Sequence, residues 1–230
     1  MSGIINNISN VNIGASYEEL IPDWFGVTIW NGKFRLLNKI GIQAGIDIYQ
    51  HAEYGGKVIN WDVNKGLPFA DESVSNIFCS HFIEHLSYTE ALRYFKEVYR
   101  ILKPGGIIRF ICPDISIWID KLYNGNDADF FGTYRSTLKE KGVDNKYYKH
   151  RKNLITNSQV FNSMFYNWGH KWMWDYESLK LELTNANFSS IEKLSKGVGS
   201  LYELEVIENR LPPDTAKARD LESLYVEAIK

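Results

Sequence analysis

The run SHFIEHL, residues 80–86, places two imidazoles and a carboxylate, His81, Glu84 and His85, within five positions. On a helix, His81 and His85 would stand one turn apart, the spacing of a metal-binding pair with Glu84 beside it. The same side chains can instead carry protons, or cap and orient the element that follows them. Another imidazole, His170, lies in NWGHKWMW, where Tyr166, Trp168 and Trp172 would shield it from water. There it reads either as a general base toward an acceptor hydroxyl or as a packed histidine bonded to backbone. The neighbouring rings read as packing residues, although a ring face turned toward a cation would add cation–π attraction.

A second group of residues follows apolar runs. Gly14 closes VNIG, Asp47 lies near the end of AGIDIY, Asp62 follows VINW, Ser80 and His81 follow NIFC, and Asp114 follows IIRFICP. In an open parallel sheet, ligands bind beyond the carboxyl ends of the strands. A glycine after the first strand lets a ligand approach the backbone. An acid after the second can accept from both ribose hydroxyls, and one after the third from an exocyclic amine such as adenine N6. Aspartates also end strands for turn reasons. Their order here points to a nucleoside-type cofactor.

The elements that must position these residues follow from the hydrophobic pattern. VNIG, AGIDIY, GGKVINWDV, VSNIFCSHF and IIRFICPD read as five strands, and their apolar runs mostly lack alternation, as expected for strands covered on both faces. Between the fourth and fifth lies a helix. Ser87 and Glu90 form a capping box, Ala91, Phe95, Val98 and Leu102 recur at helical spacing, and KPGG at 103–106 ends it. Strand, helix, turn and strand in this length form a βαβ unit, which predicts an open, mostly parallel α/β sheet. Residues 116–170 break the rhythm with many Tyr, Phe, Asn and Trp, and read as a helical and loop insertion over the ligand edge of a single domain spanning 1–230. A helix capped by Asp175 follows, with Leu179 and Leu183 on one face, and SSIEKLS and ESLYVEAIK read as the last strands.

With 230 residues the chain can bury a substantial core, and 44% hydrophobic with 23% charged residues is an ordinary globular balance. The net charge of −2 gives no general grip on nucleic acid or an anionic membrane. The basic stretch KEKGVDNKYYKHRKN reads as a solvated face. Cys79 and Cys112 lie in apolar runs, without zinc spacing, and read as buried free thiols of a reducing compartment. The start MSGIINNISN has no signal-peptide pattern, and no apolar run approaches the roughly 18–20 residues that span a bilayer. A soluble, cytoplasmic protein is expected, with neither nucleic-acid nor membrane partner.

GLPFADESVSNIFCSHFIEHL followed by EVYRILKPGGIIRFICPD resembles the class I S-adenosylmethionine-dependent methyltransferases, in the branch with the methyltransferase type 11 domain. NANF is similar to the turn after a later helix of that family, and SLYVEAIK to its last strand. The resemblance implies a Rossmann-like, mostly parallel seven-stranded sheet with helices on both faces, and S-adenosyl-L-methionine as cofactor. Gly14, Ala15 and Ser16 then match the glycine-rich motif facing the methionine part, although that motif ordinarily has two or three glycines. Asp47, with Ile48 beside it, matches the ribose-binding acid, and Asp62 and Val63 the adenine-binding pair. Ser80 and His81 match the segment lining the sulfonium and the acceptor. His81 and His170 are then the candidate bases, and His85 and Glu84 become scaffold, so no metal is expected. The implied reaction is methyl transfer to a small polar acceptor. Similar bacterial proteins accompany surface-polysaccharide biosynthesis, which makes O-methylation of a sugar precursor the first expectation. The alternative is a non-catalytic binding or partner protein with a degenerate cofactor motif. Oligomeric state is not legible.

Overall fold

The computed structural model describes residues 5, 8–14, 24–29, 49–50, 57–124, 128–140, 156–166, 169–209 and 213–230. Its centre is one eight-stranded sheet. The strands are β1 (Asn10–Ile13), β2 (Phe25–Ile29), β3 (Tyr49–Gln50), β4 (Lys57–Trp61), β5 (Val74–Ser80), β6 (Leu102–Pro113), β7 (Ser190–Leu194) and β8 (Ser223–Ile229). Their order is β3-β4-β2-β1-β5-β6-β8-β7. The pairings from β4 through β2, β1 and β5 to β6 are parallel. Those of β8 with β6 and β7, and of β3 with β4, are antiparallel.

Two expectations change. Among the described residues the sheet has eight strands where seven were expected, the additional one being the two-residue β3 on the outer edge. The strand beside β1 is Phe25–Ile29, not AGIDIY, of which only Tyr49 is among the described residues. The physical reason is burial. A strand between β1 and β4 is covered on both faces, and Trp24, Phe25 and Val27 are all buried. FGVTI carries no charged residue, whereas AGIDIY would place Asp47 within such a strand.

Alternation along the strands feeds two cores. Ile77, Cys79, Phe110, Cys112 and Val226 face helices α1 (Tyr88–Ile101) and α5 (Tyr176–Asn185) in the main core. Phe78, Ile111 and Tyr225 face the other way, toward Trp24, Leu201 and the short α6 (Leu204–Glu208). The α1 capping box forms as expected. Ser87 accepts from the Glu90 amide, and the Glu90 carboxylate accepts from the Ser87 amide at 2.7 Å. Asp175 caps α5 through the Ser178 amide at 2.8 Å. Leu102, expected on the α1 stripe, is instead the first residue of β6, where it is still buried.

Beyond the end of β6 stands a third cluster. It is built from α2 (Ile115–Tyr123), α3 (Ala128–Glu140), α4 (Asn157–Tyr166) and α7 (Pro213–Glu222) around Trp118, Phe130, Phe131, Tyr134, Val160, Met164 and Ala218. Three of these helices come from the segment read as an insertion, and α7 joins them from near the chain's end. No described helix is long and apolar enough to cross a membrane.

Candidate functional site

The sheet reverses its winding between β1 and β5, so the switch point lies where those strands end. Ile13 pairs with Cys79 there, and Ser80 pairs with Ile111 of β6. Gly14 follows β1 with φ +85°, and its amide donates to the Val27 carbonyl at 2.9 Å. A Cβ at this position would sit 2.6 Å from the Cβ of Phe82. Both the left-handed backbone and the crowding therefore demand glycine. The missing side chain lets the end of β1 close against the turn after β5.

That turn holds His81. Its backbone is left-handed, φ 48°, a conformation uncommon outside glycine, and its amide donates to the Ile111 carbonyl at 2.7 Å. The ring lies between two partners. Nδ1 is 3.4 Å from Glu84 Oε1, and Nε2 is 3.3 Å from the Ser223 hydroxyl at the head of β8. With Nδ1–H toward the carboxylate, Nε2 keeps its lone pair. A carboxylate-oriented imidazole of this kind is able to take up a proton.

Glu84 and His85 belong to a 3-10 turn, Ile83–His85, not to a helical face. The turn sends the two histidines of SHFIEHL apart. His81 meets Glu84 and Ser223, while His85 meets His170 edge to face, with ring centroids 4.9 Å apart. Burial lowers the His85 pKa, with Lys171 and Arg219 also disfavouring its charged form, against a hydrogen bond to the Gly169 backbone. His170 is held at about 4, by burial first and then by His85, against a hydrogen bond to the Met164 backbone. Both rings are therefore neutral at pH 7. Nitrogen and carboxylate oxygen atoms of Glu84, His85 and His170 all lie within 4.8 Å of one another. The segment carrying His170 is fastened here by the amides of Lys171 and Trp172, which donate to the Glu84 carbonyl at 2.8 and 3.3 Å.

Asp62 follows β4 and caps the 3-10 turn Val63–Lys65, its carboxylate accepting from the Asn64 amide at 3.0 Å. Asp114 is buried after β6, where it caps α2 through the Ser116 amide and pairs with Lys193 at 3.1 Å. Gly14, Asp62, Ser80, His81 and Asp114 thus share one edge of the sheet. Asp47, Ile48, Ala15 and Ser16 lie outside the described residues, as does Trp168. β2 itself, FGVTI, carries no carboxylate. Of the other rings read beside His170, Tyr166 is exposed and Trp172 lies tilted against Tyr88, with centroids 4.7 Å apart. The pairing of His85 with His170 escaped the sequence reading, and no spacing signals it.

Residues 41–110 match the family model described as a methyltransferase domain, in agreement with the resemblance carried by the sequence motifs. No curated protein matches the chain. Solved structures with similar folds include an S-adenosylmethionine-dependent methyltransferase from Thermotoga maritima, 15% identical, over 98% of this chain and 84% of that one, at a TM-score of 0.46. One from Archaeoglobus fulgidus is 17% identical over 100% and 87%, at 0.44. A phosphoethanolamine N-methyltransferase from Haemonchus contortus, in complex with phosphomonomethylethanolamine and S-adenosylhomocysteine, is 12% identical over 99% and 52%, at 0.46. At these scores the likenesses add nothing to what the chain's own sheet order shows.

Proposed function

With residues 41–110 matching a methyltransferase domain, we propose that the chain is an S-adenosylmethionine-dependent O-methyltransferase of a small polar acceptor, a sugar or surface-polysaccharide precursor. The observation that carries this reading is His81, held between Glu84 and Ser223 at the switch point beside Gly14. The residues in view fit two ends of the cofactor. The close approach of backbone at Gly14 suits the methionine part, and Asp62 with Val63 stands at the strand end assigned to adenine. The ribose acid remains assigned to Asp47.

When bound, S-adenosylmethionine supplies a methyl group on a positively charged sulfur. The chain's part is to hold an acceptor hydroxyl in line with that carbon and to exclude water. His81 Nε2 would take the proton of the acceptor hydroxyl, and Glu84 would stabilise the resulting imidazolium. Ser223 keeps the ring aimed until then. His170, with its pKa near 4, has little basicity at neutral pH, so the base role falls to His81. General-base assistance contributes about 10²–10⁴-fold.

A second reading, a non-catalytic partner protein on the same fold, is favoured by one observation: the strand beside β1 bears no carboxylate. Calorimetry with S-adenosylhomocysteine separates the two, since no binding at millimolar ligand sinks the enzyme. For the enzyme, His81→Gln is expected to bind S-adenosylhomocysteine as the parent does and to lose methyl transfer to a panel of nucleotide sugars by about 10²-fold or more. Unchanged turnover in that variant removes His81 from the chemistry.

A further inference from the structure

We propose that Glu84, His85 and His170 form a binding site for a divalent transition-metal ion, of the zinc class, with one coordination position left for water. Two imidazoles and a carboxylate are a ligand set that zinc takes with an open fourth position. Their ligand atoms already lie within 4.8 Å of one another. Around a tetrahedral ion with bonds of about 2.0–2.1 Å, such atoms stand roughly 3.3 Å apart. The contraction needed is the size of small side-chain rotations.

Two further features are those of a metal site. The backbone at Gly169 stands beside the His85 ring, and the backbone at Met164 beside the His170 ring. A carbonyl so placed is able to hold one ring N–H and leave the other nitrogen its lone pair for a metal. The second is His170 Nδ1, which is buried and has no hydrogen-bond partner. A buried nitrogen without a partner costs free energy unless something accepts its lone pair, and a metal ion does so. The carboxylate is fully buried, where an adjacent divalent cation compensates its charge. Glu84 Oε1 also meets His81, so His81 would be the outer partner that orients a ligating carboxylate.

The ion would join the turn after β5 to the 169–174 segment, where the Lys171 and Trp172 amides already meet the Glu84 carbonyl. It would clamp the entry to α5 directly behind His81. The site shares Glu84 with the His81 pair, but its test reads metal binding rather than turnover, so its outcome does not depend on the proposed function.

Protein treated with a chelator and then titrated with Co²⁺ is expected to develop d–d absorption that saturates at one equivalent and is displaced by Zn²⁺. His170→Gln and His85→Gln, checked for folding by circular dichroism, are each expected to weaken Co²⁺ binding at least tenfold. Absence of saturable absorption in the parent overturns the proposal, as does equal binding by the folded variants. Should the variants fail to fold, X-ray absorption at the zinc edge of the parent decides. Two imidazoles with oxygen and no sulfur are expected; a sulfur ligand, or fewer than two imidazoles, overturns the site.

Discussion

At Gly14 and His81 the backbone itself is specialised. Both are left-handed, and they flank the switch point from opposite strands. Gly14→Ala must place a methyl 2.6 Å from Phe82 Cβ while adopting φ near +85°. The backbone alone costs roughly 1–3 kcal/mol, and the clash adds to it. Urea denaturation is expected to show that loss, and a variant as stable as the parent would mean that the β1 end is not packed against the turn. The motif SHFIEHL made its two imidazoles and its carboxylate legible but not their partners. His81 finds Ser223 and His85 finds His170, and both contacts join residues far apart in the chain. Side-chain direction there is set by a left-handed residue followed by a 3-10 turn, a sequence of angles that no periodicity announces.

Among the elements, α7 shows how a helix outside the expected insertion completes its packing. Its last residue, Glu222, is buried and accepts from Trp118 Nε1 at 2.9 Å. Burial raises its pKa from 4.5 to about 7, against hydrogen bonds from Tyr134 and Trp118. The folded state therefore takes up a proton as pH falls through 7, whereas the unfolded chain does so only near 4.5. This residue's contribution to stability rises as pH falls between those values and is least favourable above 7. Glu222→Gln mimics the protonated form. It is expected to stabilise the protein at pH 8 by about 1–3 kcal/mol, with the gain shrinking toward pH 5. Denaturant titrations at the two pH values measure the difference, and an equal effect at both would exclude a raised pKa. The caps of α1 and α5 were legible because a capping box is contained within four residues. β2 was not, because its claim to the place beside β1 rests on pairing with β4 as well and on burial of Phe25 and Val27.

Across the whole molecule, Arg109 ties the sheet to the chain's last third. It is fully buried in β6. Nε donates to Glu208 at 2.8 Å, and the guanidinium donates to the carbonyls of Ser195 at 2.9 Å and Val198 at 3.1 Å. Glu227 stands 3.9 Å away and accepts from the Ser200 and Leu201 amides. Burial already raises the Glu208 pKa despite this partner. Arg109→Leu leaves Glu208 buried without its cation and is expected to cost about 3–5 kcal/mol at pH 8. The loss should shrink as pH falls, because a protonated Glu208 no longer needs the charge. Equilibrium unfolding at pH 8 and pH 5 tests this, and a loss independent of pH would assign Arg109 a packing role alone.

What the sequence determined by itself is local: the apolar runs of β1, β4, β5 and β6, the capped helix between the last two, and the strand-end residues Gly14, Asp62, Ser80 and His81. Each depends on neighbours a few positions away, where propensity, capping and turn chemistry act. Which strand lies beside β1, which histidine meets which, and which helices close over the end of β6 were decided by tertiary structure alone. Those choices turn on covering both faces of the sheet and burying Arg109 and Trp118 with partners distant in the chain, and such long-range packing leaves no periodic trace in the sequence.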